Sequence, residues 1–279
     1  MNTRREITID TNGLQDIALR GVRRATAFLG LGLKALADGP PKSVTVESGF
    51  RIQWFPDPLP DAVAAEIAHE YETWLVGSAL KELDLFFSMF LDEVWDWLKL
   101  AESHGKPLTA DHKPDASFRA KTKVSEKLKL VEAAIGVSSS WSAYFDGYSV
   151  ARNCLTHNAG VLRLRDCNLD GALELKWRGP DVVVKSPTEE VVLNSRGEMP
   201  TQVFGPDAEA SFRMTERTHR VEVGKPIQLS RFDLSEMCFS YQLAASDVIN
   251  GFVATLRDKG IVAKEASEQP VAPEKEAEG

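Results

Sequence analysis

DAVAAEIAHEYETWLVGSALKELDLFFSMFLDEVWDWLKLAES, residues 61–103, is the longest periodic segment of the chain. Ile67, Tyr71, Trp74, Leu75, Leu83, Phe86, Phe87, Phe90, Leu91, Val94, Trp97 and Leu98 recur at helical spacing, and no proline interrupts them. That period is the signature of an amphipathic helix. Gly77 is the one position that would permit a bend. About 40 residues at 1.5 Å per residue span about 60 Å, far beyond the usual globular helix. Such a helix must lie against other long helices or against a partner chain, so the segment decides for a helical bundle. Its aromatic stripe reads as core, with no chemistry assigned to it.

Working outward, Leu14, Ile17, Val22, Ala25, Phe28, Leu29, Leu33 and Leu36 predict a preceding helix over 14–37. Arg20, Arg23, Arg24 and Lys34 lie mostly off that stripe, and Gly39-Pro40-Pro41 ends it. SVTVESGFRIQWF, from Ser43, alternates around Ser48-Gly49 and predicts a β-hairpin. Beyond the long helix, HGKPLTADHKPDAS is a loop that holds His104 and His112 as exposed residues. Asp115 or Ser117 in that loop caps a second helix, expected over 117–135 with Phe118, Val124, Leu128, Val131 and Ile135 inward. Its other face carries Arg119, Lys121, Lys123, Lys127 and Lys129, the most basic stretch of the chain. That face reads as solvated, or alternatively as a patch for nucleic-acid phosphates. A third helix is expected over about 140–157, stopped by Asn158-Ala159-Gly160.

After Gly160 short β-branched runs separated by Gly, Pro and Asn predict a loop-rich antiparallel β region over 161–230, with RVEVGKPIQLS as its last hairpin. Residues 233–258 return to a helical period, with Asp233 or Ser235 as cap. The tail from Lys264 holds five Glu and two Lys with hardly any bulky apolar groups, and reads as disordered. The organisation expected is therefore an N-terminal helix and hairpin over 1–60, a bundle over 61–160, a β insertion over 161–230, a helix over 231–260 that completes the bundle, and a tail over 261–279. The fold class is α+β, mostly α.

The 279 residues are 43% apolar and 27% charged, with a net charge of −8. These proportions exclude collagen-like, mucin-like and wholly disordered chains, and the acidity excludes a global field that recruits nucleic acid or anionic membrane. Cys154, Cys167 and Cys238 are too few and too scattered for a disulfide framework or a metal site, and read as reduced thiols of a cytoplasmic protein. MNTRREITID is not a secretory signal, and the uncharged run 25–33 is too short to cross a membrane. No P-loop, GxGxxG, HExxH or GxSxG is present, so neither a cofactor nor a metal is expected.

The chemistry-bearing stretch is Arg152-Asn153-Cys154-Leu155-Thr156-His157-Asn158. Asn153 and His157 are i,i+4 neighbours, Arg152 and Thr156 form the adjacent stripe, and Tyr148 lies one turn earlier on that side. An imidazole titrating near neutrality gives or takes a proton, and a guanidinium fork matches phosphate oxygens without losing its charge. Together they suit metal-independent cleavage of a phosphodiester. Attack by the 2′-OH of RNA needs a base at that hydroxyl and an acid at the leaving 5′-oxygen, so a two-fold dimer sharing one cleft supplies the second His. An alternative reading pairs Arg152 with a carboxylate such as Glu82 or Asp84 and makes His157 a C-terminal cap.

ARNCLTHNAG resembles the motif of the HEPN superfamily (higher eukaryotes and prokaryotes nucleotide-binding), an Arg, then commonly Asn, Asp or His, then a His after four to six residues. Here those positions are Arg152, Asn153 and His157. The resemblance implies an antiparallel bundle that dimerises through the motif helices. It further implies a metal-independent endoribonuclease of bacterial phage-defence or toxin–antitoxin type, with RNA as substrate. In such an enzyme Arg152 would stabilise the transition state, His157 would move the proton and Asn153 would orient the phosphate or the His. Tyr148, Thr156, Asn158, Lys121 and Lys123 would contact the substrate. The other course open to the same family is a noncatalytic module that binds a nucleotide or a partner protein. The motif spans about ten residues, and the N-terminal segment and the β region lie outside it.

Overall fold

The computed structural model describes residues 9–43, 55–103, 114–137, 139, 141–187, 189–193 and 207–261. The hairpin turn expected within 44–54, the loop with His104 and His112, and the tail from 262 lie outside these residues.

Among the described residues six α-helices and three strands run in the order α1 (Thr11–Ala37), α2 (Asp61–Glu102), α3 (Ala116–Arg119), α4 (Val124–Ile135), α5 (Trp141–His157), β1 (Ala172–Lys185), β2 (Glu190–Leu193), β3 (Glu209–Glu222) and α6 (Arg231–Asp258). The architecture is α+β and mostly helical. The 42-residue α2 is the axis of the fold. It satisfies its length by packing within its own chain, against α1, α4, α5 and α6. Its buried stripe is Leu75, Leu80, Leu83, Phe87, Phe90, Leu91, Val94 and Leu98, while Tyr71 and Trp74, at the other end of the apolar pattern, stay exposed and stack on each other. Aromatic rings fill the centre: Phe145 lies 5.0 Å from Phe87 and 4.5 Å from Tyr241 between centroids. One continuous core joins α1, α2, α4, α5, α6 and the inner face of the sheet. No helix among the described residues is long and apolar enough to cross a membrane.

Glycines set how closely the helices approach. A Cβ on Gly21 of α1 would lie 2.7 Å from Phe86 Cβ and 3.2 Å from the Glu82 carbonyl oxygen of α2, whereas a Cβ on Gly30 of the same helix would meet nothing within 4 Å. A matched pair of substitutions probes this contact. Gly21→Val is expected to cost about 1–3 kcal/mol by overpacking. Gly30→Ala is expected to gain up to about 1 kcal/mol from helix propensity alone. Chemical denaturation of both checks the helix contact, and equal effects would contradict it. Gly77 likewise serves contact: its Cβ would stand 3.1 Å from Leu155 Cβ and 3.2 Å from Thr156 Cγ2, which seats the end of α5 on α2.

Three expectations are corrected. The helix expected over 117–135 is two helices, broken at residues 120–123. At about 100° per residue a single helix would turn Phe118 well away from the stripe of Val124, Leu128, Val131 and Ile135. The break lets both face inward. Phe118 stacks on Trp95 at 4.5 Å, and Trp95 Nε1 donates to Asp115 Oδ2, whose Oδ1 accepts from the Ser117 and Phe118 amides.

The β region is a three-stranded antiparallel sheet in the order β2-β1-β3, in which β1 and β3 pair along fourteen residues from Ala172↔Glu222 to Lys185↔Glu209. Gly179-Pro180 reads as a breaker, yet β1 runs through it. β2 pairs only with Val182–Lys185, so at Pro180 one side of β1 has no strand among the described residues and a missing N–H is tolerated. At Gly179 the carboxylate of Glu236 occupies the space that a Cβ would need. RVEVGKPIQLS forms no hairpin: Val221 and Glu222 end β3, Gly224 turns at positive φ, and Pro226 makes an isolated bridge with Val161.

Ser230 caps α6, not Asp233 or Ser235. Its side chain accepts from the Asp233 amide while Asp233 accepts from the Ser230 amide, a reciprocal capping box.

Candidate functional site

α5 carries its apolar residues into the bundle and its polar ones onto the edge at its C-terminal end. Cys154 and Leu155 are buried, whereas Asn153, Thr156 and His157 are exposed and Arg152 is half-buried. The chain leaves the helix through Ala159 (φ 50°) and Gly160 (φ 76°), whose amide donates to the Cys154 carbonyl. Two successive left-handed residues turn the backbone sharply away, so His157 is left at the open end of the helix.

Arg152 is held from below. Its Nη1 donates to Asp84 Oδ2 at 2.7 Å, and its Nε and Nη2 reach Asn153 Oδ1 at 3.2 and 2.9 Å. Asp84 of α2 is buried and accepts at its other oxygen from the Tyr241 hydroxyl of α6 at 2.6 Å. Burial pushes the Asp84 carboxyl above its ordinary value, and the Tyr241 hydroxyl and the Arg152 guanidinium pull it back. The Arg152 side chain remains 24% exposed. A guanidinium has five N–H donors, so three bonds leave donors for a further anion. The alternative pairing is thus realised through Asp84, and Glu82 pairs instead with Arg24 at 2.7 Å.

The other expected residues divide. Thr156 turns its hydroxyl back onto the Arg152 carbonyl at 2.8 Å, and Asn158 reaches Asp166 Oδ2 at 3.4 Å. Tyr148 is a correction: it lies wholly inside, its ring packed on Phe145 and Tyr241, because the position one turn before Arg152 faces the bundle axis. The basic face is solvated at Arg119, Lys123 and Lys129, and the correction falls on Lys127. Lys127 is buried against Ser88 and Asp92, Arg119 pairs with Asp96 and Glu93, Lys123 with Glu126, and Lys129 with Asp146. Lys121 and Lys123 lie in the break between α3 and α4, and of these five cations only Lys121 has no carboxylate partner among the described residues. The patch is therefore largely neutralised.

Two features carry no signal in the sequence. Tyr241 sits in an apolar stripe with nothing to mark its hydroxyl as polar. His69 and His219, 150 positions apart, line one recess of about 480 Å³ together with Glu72 and Asp233. No group of His, Cys, Asp or Glu among the described residues has the geometry of a metal site. All three cysteines are free, and burial pushes the Cys154 thiol up to about 11.

No family model, no curated protein and no solved structure matches this chain.

Proposed function

We propose that the chain is a metal-independent endoribonuclease of HEPN type acting at the end of α5, with RNA as substrate and a homodimer as the working unit. The observation that carries this reading is the guanidinium of Arg152, fixed by Asp84 and Asn153 and still partly open to water, on the same helix end as the exposed His157. In the reaction the ribose 2′-oxygen attacks phosphorus and the 5′-oxygen departs, leaving a 2′,3′-cyclic phosphate and a 5′-hydroxyl. His157 of one protomer takes the 2′-OH proton, and His157 of the second protonates the leaving oxygen. Arg152 neutralises charge that builds on the phosphoryl oxygens, and Asn153 fixes the plane of its fork.

RNA incubated with chelator tests the proposal. Cleavage by the wild type that falls in both Arg152→Ala and His157→Ala supports it. Cleavage equal in all three, or none with any RNA, removes it.

A second reading, a noncatalytic nucleotide- or protein-binding module, is favoured by the neutralised basic face and by the ion pair that already engages Arg152. It predicts that RNA or nucleotide binds without being cut.

A further inference from the structure

A second site lies away from α5, between the C-terminal half of α1, the N-terminal half of α2 and the start of α6. There the helices diverge and leave a cleft of about 1030 Å³, near the upper end of the range for small-molecule sites. Its wall is aliphatic: Leu29, Leu33, Leu36, Ala68, Leu234 and Cys238 line it, and among the described residues it contains no Phe, Tyr or Trp. Burial pushes the Cys238 thiol up to about 11, so that residue adds a neutral, apolar surface. The rim is different. Lys34 and Arg231 both line it, and among the described residues neither has a carboxylate partner. What marks the pair is their shared position on an aliphatic cleft, since other cations, such as Lys121, also have no carboxylate partner among the described residues. Against these two cations the cleft sets one carboxylate, Glu72, while His69 adds a titratable group. The acidic Asp233 nearby is committed to the Ser230 amide.

We propose that this cleft binds a long-chain acyl carboxylate, its chain along the aliphatic wall and its head group at the rim formed by Lys34 and Arg231. The described wall offers no aromatic ring, which disfavours a nucleotide, whose base would need a stacking surface. Two cations against the one carboxylate Glu72 give the rim a net positive charge, which favours an anionic head group over an amine or a neutral lipid. The site shares no residue with the end of α5, so its occupancy is independent of RNA cleavage.

Displacement of a fluorescent fatty acid from the full-length protein tests this. Palmitate is expected to displace the probe saturably, with methyl palmitate, hexadecyltrimethylammonium and AMP at least tenfold weaker. Lys34→Glu combined with Arg231→Glu should weaken palmitate at least tenfold with the melting transition unchanged, since both side chains are exposed. Ala68→Trp, which fills the cleft, should abolish displacement even if the double variant proves unstable. His157→Ala should bind palmitate like the wild type. No displacement, equal affinity for acid and ester, preference for AMP, or full binding by Ala68→Trp would each overturn the proposal.

Discussion

Replacing His157 by alanine is expected to slow RNA cleavage by about 10²–10⁴-fold, the usual contribution of a positioned acid or base, while stability changes by less than about 0.5 kcal/mol. The asymmetry comes from placement. His157 is exposed at the end of α5 and has no hydrogen-bond partner among the described residues, so the fold loses nothing that it holds. In a dimer with a shared cleft, mixing His157→Ala with Arg152→Ala protomers adds a sharper measurement. Each mixed dimer then has one intact His and one intact Arg, on opposite chains. If the base and the acid are the two imidazoles, no mixed dimer has both, and the mixture remains as slow as His157→Ala alone. Recovery toward the wild-type rate would show that a single imidazole suffices, and would remove the two-His scheme. A large loss of stability in His157→Ala would instead return the residue to a capping role.

The second large effect is on stability, and it is pH-dependent. Arg152→Ala removes the cation that faces Asp84 at 2.7 Å and leaves a buried carboxylate with only neutral hydroxyls, of Tyr241 and Ser149, as partners. Losing one member of a buried pair costs about 3–5 kcal/mol. Arg152 is partly exposed, so a smaller cost, about 2–4 kcal/mol at pH 7.5, is expected. The sign with pH is fixed by Asp84, whose folded carboxyl already lies above its ordinary value through burial. A group raised in this way binds its proton more tightly when folded. It favours the fold below its unfolded pKa, about 3.9, and that support is lost as pH rises through the folded value. Without Arg152 the folded value climbs further, so the variant loses up to about 1.4 kcal/mol per pH unit across the added window. The deficit should shrink to under about 1 kcal/mol at about pH 4.5. Urea unfolding at both pH values reads this directly. A deficit that is the same at both would show that Asp84 does not sense Arg152. Adding Asp84→Asn to Arg152→Ala should flatten the pH dependence, since no buried charge then remains to be compensated.

The neighbourhood of these two residues also separates what position on a helix reveals from what it conceals. Asn153, Thr156 and His157 could be placed on an exposed edge from spacing alone, because four residues nearly complete a turn. Tyr148 could not. Spacing gives the side of a helix but not which neighbour covers it, and α6 brings Tyr241 over that turn. Within the basic run Arg119–Lys129, the outward placement of Lys127 fails for a related reason. A single period extended through 117–135 joins residues whose inward faces differ in phase. The break at 120–123 puts Lys127 indoors, and the flanking cations beside carboxylates of α2, α4 and α5.

By itself the sequence determined the long helices α1, α2, α5 and α6, their approximate ends, the β character after Gly160 and the polar end of α5, because all of these rest on local periodicity, chain stops and the tendency of apolar side chains to leave water. Only the tertiary structure decided which partner each polar group meets. The choice of Asp84 over Glu82 beneath Arg152, Glu236 against Gly179, and the aliphatic cleft with Lys34 and Arg231 at its rim arise where elements far apart in the chain come within a few ångströms. Such contacts are set by the packing of whole helices, and no local pattern encodes them.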